Sequence, residues 1–97
     1  MLARTTTRTA RPAVKDQLRE FIQEHLAHPK GVTSFTDDEP LIETGVIDSL
    51  GIFRLVAFME EELGVRISDE DINPETLRNL IAIEALVMRA STLRSIN

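Results

Sequence analysis

Apolar residues recur at helical spacing in three segments of the chain. Val14, Leu18, Phe21, Ile22 and either His25 or Leu26 follow the i, i+4, i+7, i+8 pattern of a single buried stripe. Pro12 suits a first helical turn and Pro29 a stop, so the pattern predicts helix one between them. From Ser49 to Leu63 there is more apolar surface than one buried face requires. At about 100° per residue from Ser49, the residues Ile52, Leu55, Val56, Met59 and Leu63 share a sector centred about 70° to one side, the predicted core stripe. Leu50, Phe53 and Ala57 form a second, smaller stripe on the other side, edged by Arg54, Glu60 and Glu61. Gly64 stands where a left-handed C-cap is expected. In the last helix Leu80, Ile83, Leu86 and Val87 supply the core face, either Thr76 or Asn79 is the N-cap, and the pattern runs out after Ala90.

Between these helices lie two connections of different character. The long one, Lys30 to Ile47, carries turn residues interrupted by apolar ones, and loops of this length are functional or packed by their own side chains. Leu41 and Ile42 are expected to pin it to the bundle, and Asp37-Asp38-Glu39 reads as a solvated turn or a short helix start in preference to a metal site. The shorter one begins with Val65-Arg66-Ile67, read as extended. Ser68, with Asp71 three residues on, resembles a capping box opening a short helix through about Ile72, limited by Pro74. The expected fold is all-α, with three main helices, one short helix and a long loop between helices one and two.

Composition adds limits. Ninety-seven residues make one domain: a tail over 1–11 with no acidic residue and no apolar period, a folded part over 12–90 and a frayed end over 91–97. The tail's Arg-rich, acid-poor composition is shared with organelle transit peptides, but it is short and a helix follows at once, so a plain disordered tail is the preferred reading. No signal-peptide core or membrane-length apolar run occurs. Absence of cysteine excludes disulfides and thiol catalysis and fits a reducing, cytoplasmic setting. Residues 1–19 hold five basic side chains and one acidic, leaving six basic and fifteen acidic in the rest. The folded part is acidic, a poor ligand for nucleic acid and suited to partners with basic patches.

The chemistry concentrates at Gly45-Val46-Ile47-Asp48-Ser49-Leu50. The glycine allows an unusual backbone angle, Asp48 is a candidate N-cap, and Ser49 falls on the first helical turn, near solvent. An Asp-Ser pair taken alone is usually just a cap. Here the adjacent second apolar stripe, rimmed by charge, suggests a docking surface around a modifiable serine. There is no nucleophile elbow, no phosphate-cradling glycine loop and no zinc-spaced cluster. His25 and His28, three residues apart, lack a third ligand nearby in sequence and read as cations near a helix C-terminus. The chain is therefore not expected to be an enzyme.

These residues resemble the acyl carrier and peptidyl carrier proteins. The resemblance rests on Asp48-Ser49-Leu50 at the start of an amphipathic helix, the upstream Gly45 and the acidic run Glu60-Glu61-Glu62, and spans about Val14 to Val87. It implies a four-helix acyl-carrier bundle and covalent 4'-phosphopantetheine on Ser49, whose terminal thiol holds acyl or aminoacyl groups as thioesters. Asp48 would cap the helix and contact the phosphopantetheinyl transferase or its magnesium ion. Partner docking would fall to Leu50, Phe53, Arg54, Ala57, Glu60 and Glu61, with a ligase and an acyl-accepting enzyme as further partners of a monomer. Fatty-acid carriers usually have acidic residues two and five positions after the serine, where this chain has Gly51 and Arg54. The two residues between Gly45 and Asp48 are similar to stand-alone carriers loaded by an ATP-dependent ligase, such as the D-alanyl and aminoacyl carriers. A type II fatty-acid or polyketide carrier is the near alternative, and a small helical interaction module without a prosthetic group the alternative of another class.

Overall fold

A computed structural model describes the backbone of residues 13–96 and the side chains of residues 13–91; the basic tail over 1–11 and Pro12 lie outside the described residues. Three helices organise the chain: α1 (Val14–Phe21), α2 (Ser49–Glu62) and α3 (Leu80–Ile96), with a short 3-10 turn at Asp69–Asp71. No strand occurs among the described residues. The all-α arrangement with one short extra turn is the expected one.

The first helix does not stop before Pro29. After α1 the backbone widens into a π-helical segment, Ile22–Ala27, and then tightens into a 3-10 turn, His28–Lys30. The His28 N–H donates to the Gln23 carbonyl, five residues back, so the helical path continues to a proline that needs no donor of its own. Gly31, at φ 82°, ends it. Leu26, not His25, takes the inward position. His25 is exposed, and its ring stacks on Phe21, which stacks in turn on Phe58 of α2.

One apolar cluster is built from every segment. Leu18, Ile22 and Leu26 come from the first helical run, Leu55 and Met59 from α2, Val65 and Ile67 from the connection after it, and Leu77, Leu80, Ile83, Leu86 and Val87 from the last. The long loop contributes as much as a helix does. Phe35, Leu41, Val46 and Ile47 are buried, while Ile42 is only half-buried, so the pinning falls on a wider set than Leu41 and Ile42.

Asp37 lies in a turn with Asp38, as expected, but its half-exposed carboxylate is paired and not simply solvated. It accepts from Lys15 Nζ at 2.7 Å and from Arg19, both on α1. Arg19 also donates to the Phe35 carbonyl at 2.6 Å and lies 4.7 Å above the Phe35 ring. The Lys15 ammonium, ahead of the Arg19 guanidinium, holds the Asp37 carboxyl below the usual range, and Asp37 in turn raises Lys15.

The other ends also differ in detail from expectation. Ser68 does not cap the 3-10 turn through its side chain; its hydroxyl donates to Asp71 Oδ2 at 3.1 Å. Asn79 is the N-cap of α3, its Oδ1 accepting from Ala82 N at 2.8 Å, while the Thr76 hydroxyl is turned to the Asp71 and Asn73 carbonyls. Helix α3 continues to Ile96, beyond the point at Ala90 where the apolar pattern runs out, through a stretch with neither glycine nor proline.

Candidate functional site

Ser49 is the first residue of α2 and is exposed. Three features of the preceding loop put it there. Val46 and Ile47 are sunk in the core, Gly45 takes the positive φ of 86° that the reversal before them needs, and Asp48 caps the helix. Asp48 Oδ1 accepts from Gly51 N at 2.8 Å, and Oδ2 accepts from Lys30 Nζ at 2.7 Å. Lys30 Nζ also donates to the Gly45 carbonyl at 2.7 Å. Lys30, ahead of the Gly51 N–H, holds the Asp48 carboxyl below its ordinary range.

The outer side of α2 carries Leu50 and Phe53 at 63% and 77% exposure, with Arg54, Ala57 and Glu61 also exposed. Glu60 is half-buried, because its Oε2 accepts from Ile67 N at 3.1 Å and ties the following connection back to the helix. The inner side differs from the predicted stripe. Gly51, Leu55 and Met59 are buried, and Ile52, Val56 and Leu63 only half-buried. The buried line is thus centred about 120° from Ser49 instead of about 70°, on a step of about 100° per residue.

That rotation opens a surface beside the serine. Ser49, Ile52, Phe53, Val56, Glu60, Ile67, Asp69 and Ile72 line a groove of about 370 Å³ between α2 and the 3-10 turn. Its lining is mostly apolar, with Glu60 and Asp69 as the acidic residues among it. The helix N-terminus favours an anion at Ser49 and the groove offers apolar cover to what is attached there.

The chain matches the family model described as phosphopantetheine attachment site over residues 16–83. It belongs to the acyl and peptidyl carrier proteins. It is also similar to the probable acyl carrier protein PigG of Serratia sp. (strain ATCC 39006), 35% identical over 65 residues that cover 59% of this chain and 75% of that relative. The covalent group of this carrier is 4'-phosphopantetheine, the chain is a carrier and not an enzyme, and its partners include a phosphopantetheinyl transferase and acyl-handling enzymes. An interaction module without a prosthetic group is set aside. A serine at a helix start, open to solvent and beside an apolar groove, fits such a group.

Among the described residues no three potential metal ligands cluster, and no helix is long and apolar enough to cross a membrane. Sequence reasoning missed Lys30, Phe58 and the packing of Gly51. A glycine inside a helical pattern is a signal of close approach, and a Cβ at Gly51 would lie 3.2 Å from Asp48 Oδ1 and 3.5 Å from Leu26 Cδ2. Lys30 carries no such signal.

Proposed function

We propose that Ser49 is the attachment site and that this carrier holds aminoacyl or small acyl groups, loaded by a stand-alone ATP-dependent ligase in the cytoplasm. The carrying observation is the exposed hydroxyl on the first turn of α2, next to a carboxylate already committed to capping and opening onto the groove. When bound, the arm supplies the thiol that this cysteine-free chain lacks. This chain's own residues present the serine, cap the helix under it and offer Leu50, Phe53 and Ala57, with Arg54, Glu60 and Glu61 around them, to partner enzymes.

Two observations support the aminoacyl reading. The residue two positions after the serine is the buried Gly51, where the acidic side chain of a fatty-acid carrier would press on the Asp48 cap. Glu60 and Asp69 place negative charge along the groove, favourable to the free ammonium of an aminoacyl thioester, whereas a fatty acyl thioester is neutral and gains nothing from it. A fatty-acid or polyketide cargo is the second reading, favoured by the description of the Serratia relative as a probable acyl carrier protein.

Co-expression with a broad-specificity phosphopantetheinyl transferase and intact-mass measurement tests the attachment site. The wild type gains one phosphopantetheinyl group and Ser49→Ala gains none; a Ser49→Ala chain that still gains the group defeats the assignment. Offering the loaded carrier to its ligase with a panel of amino acids and fatty acids then separates the two cargo readings.

A further inference from the structure

Resting on the reading of Ser49 as the attachment site, we infer that Lys30 is a positioning residue for its modification. Its ammonium ties the loop that delivers the serine and offsets the Asp48 charge next to the incoming phosphate.

The geometry is specific. Lys30 closes the 3-10 turn at the end of the first helical run, and Gly31 then turns the chain away, so the side chain is free to reach across to the loop fifteen to eighteen residues later. An ammonium has three donors. Two are spent at 2.7 Å on the Gly45 carbonyl and Asp48 Oδ2, and the Val46 carbonyl lies 3.5 Å away. The Gly45 contact holds the loop at its left-handed residue, and the Asp48 contact holds it at the cap.

Asp48 is satisfied on both oxygens by different partners, Gly51 N–H on Oδ1 and Lys30 on Oδ2. Without the lysine, Oδ2 faces water and the carboxylate stands as an unbalanced negative charge one residue from the hydroxyl. A phosphate brought to that hydroxyl would then meet a like charge at the position where the helix dipole otherwise favours an anion. Lys30 thus lets a carboxylate cap and an anionic attachment occupy the same helix end.

The side chains of Lys30 and Asp48 are 36% and 55% exposed, so solvent screens the pair and the effect is modest. Lys30→Gln removes the charge and, one bond shorter, loosens the contacts to Gly45 and Asp48; Lys30→Arg keeps the charge and the reach. Initial rates of phosphopantetheine transfer from coenzyme A are measured by intact mass against carrier concentration for wild type, both variants and Ser49→Ala. Titration of the Asp48 carboxyl carbon by NMR on the unmodified proteins is run alongside. The expected result is a KM for the carrier raised about two- to fivefold in Lys30→Gln with kcat little changed, as an exposed ion pair allows, and recovery in Lys30→Arg. The Asp48 carboxyl should titrate higher in Lys30→Gln than in wild type. Wild-type KM in Lys30→Gln, or an Asp48 titration that does not move, overturns the role of Lys30 while leaving Ser49 in place. Modification of Ser49→Ala would instead remove the attachment site on which the inference stands.

Discussion

Helix α2 has two apolar sides, and they have opposite fates. Leu55 and Met59 are fully buried; Leu50 and Phe53, on the same helix and no less apolar, are 63% and 77% exposed. Helix α1 has no such second side: Leu18 and the following Ile22 turn inward, and its outer positions carry Asp16 and Glu20. Burying an apolar side chain stabilises the fold, whereas leaving a phenylalanine in water does not, so the outer side of α2 is surplus to folding. The excess lies within two turns of Ser49. Apolar content alone marks both sides; the distance from the serine and the neighbouring charges distinguish the one proposed to serve partners.

The inner side should give the largest response. Met59 is fully buried against the cluster, so Met59→Ala removes contacts and leaves a cavity, at a cost of about 2 to 5 kcal/mol. Denaturant unfolding followed by circular dichroism measures it. A cost near zero would mean that the two sides of α2 have been confused.

Much of this division can be read from the chain. The i, i+3, i+4 recurrence places Leu80, Ile83, Leu86 and Val87 inside, where they are, and Gly45 and Gly64 have the positive φ angles their positions call for. Asp48 caps α2 because a carboxylate one residue before a helix has few better partners than the free N–H groups above it. What could not be read depends on contacts between distant segments. The rotation of α2 by about 50° follows from Gly51 nesting against Leu26 and Ile47, a packing that a helical step of about 100° cannot reveal. The same holds for Asp37, which looks like a turn residue by composition and becomes an anchor only because Lys15 and Arg19 stand on the facing helix. Lys30, next to a glycine at the edge of a long loop, is indistinguishable in sequence from any solvated lysine.

The cap between the two sides should give a smaller response with a defined pH dependence. Asp48→Ala leaves Gly51 N–H without its side-chain acceptor and Lys30 without its carboxylate, and thermal unfolding should fall less than for Met59→Ala. Because the folded-state pKa of Asp48 is lowered, its contribution is complete above the ordinary carboxylate range of about pH 4 and is lost as pH falls through the lowered value. The difference between wild type and variant should therefore shrink on acidification below about pH 4. A gap that widens there would contradict the ion pair.

The outer side should give the smallest response in stability and a clear one in function. Phe53 is the fifth residue of α2 and has little contact to lose, and glutamate is at least as good a helix former, so Phe53→Glu should change stability by no more than about 0.5 kcal/mol. The same substitution puts a charge into the apolar patch beside Ser49 and should slow transfer of the phosphopantetheinyl group or loading by the ligase. Phe53→Gln separates the two causes. If it slows the partner step as much as Phe53→Glu, lost apolar contact is responsible; if only the glutamate acts, repulsion near the serine is. A marked loss of helical signal in either variant would put Phe53 in the core and erase the distinction between the two sides, whereas unchanged partner kinetics in both would leave the exposed phenylalanine without the docking role proposed for it.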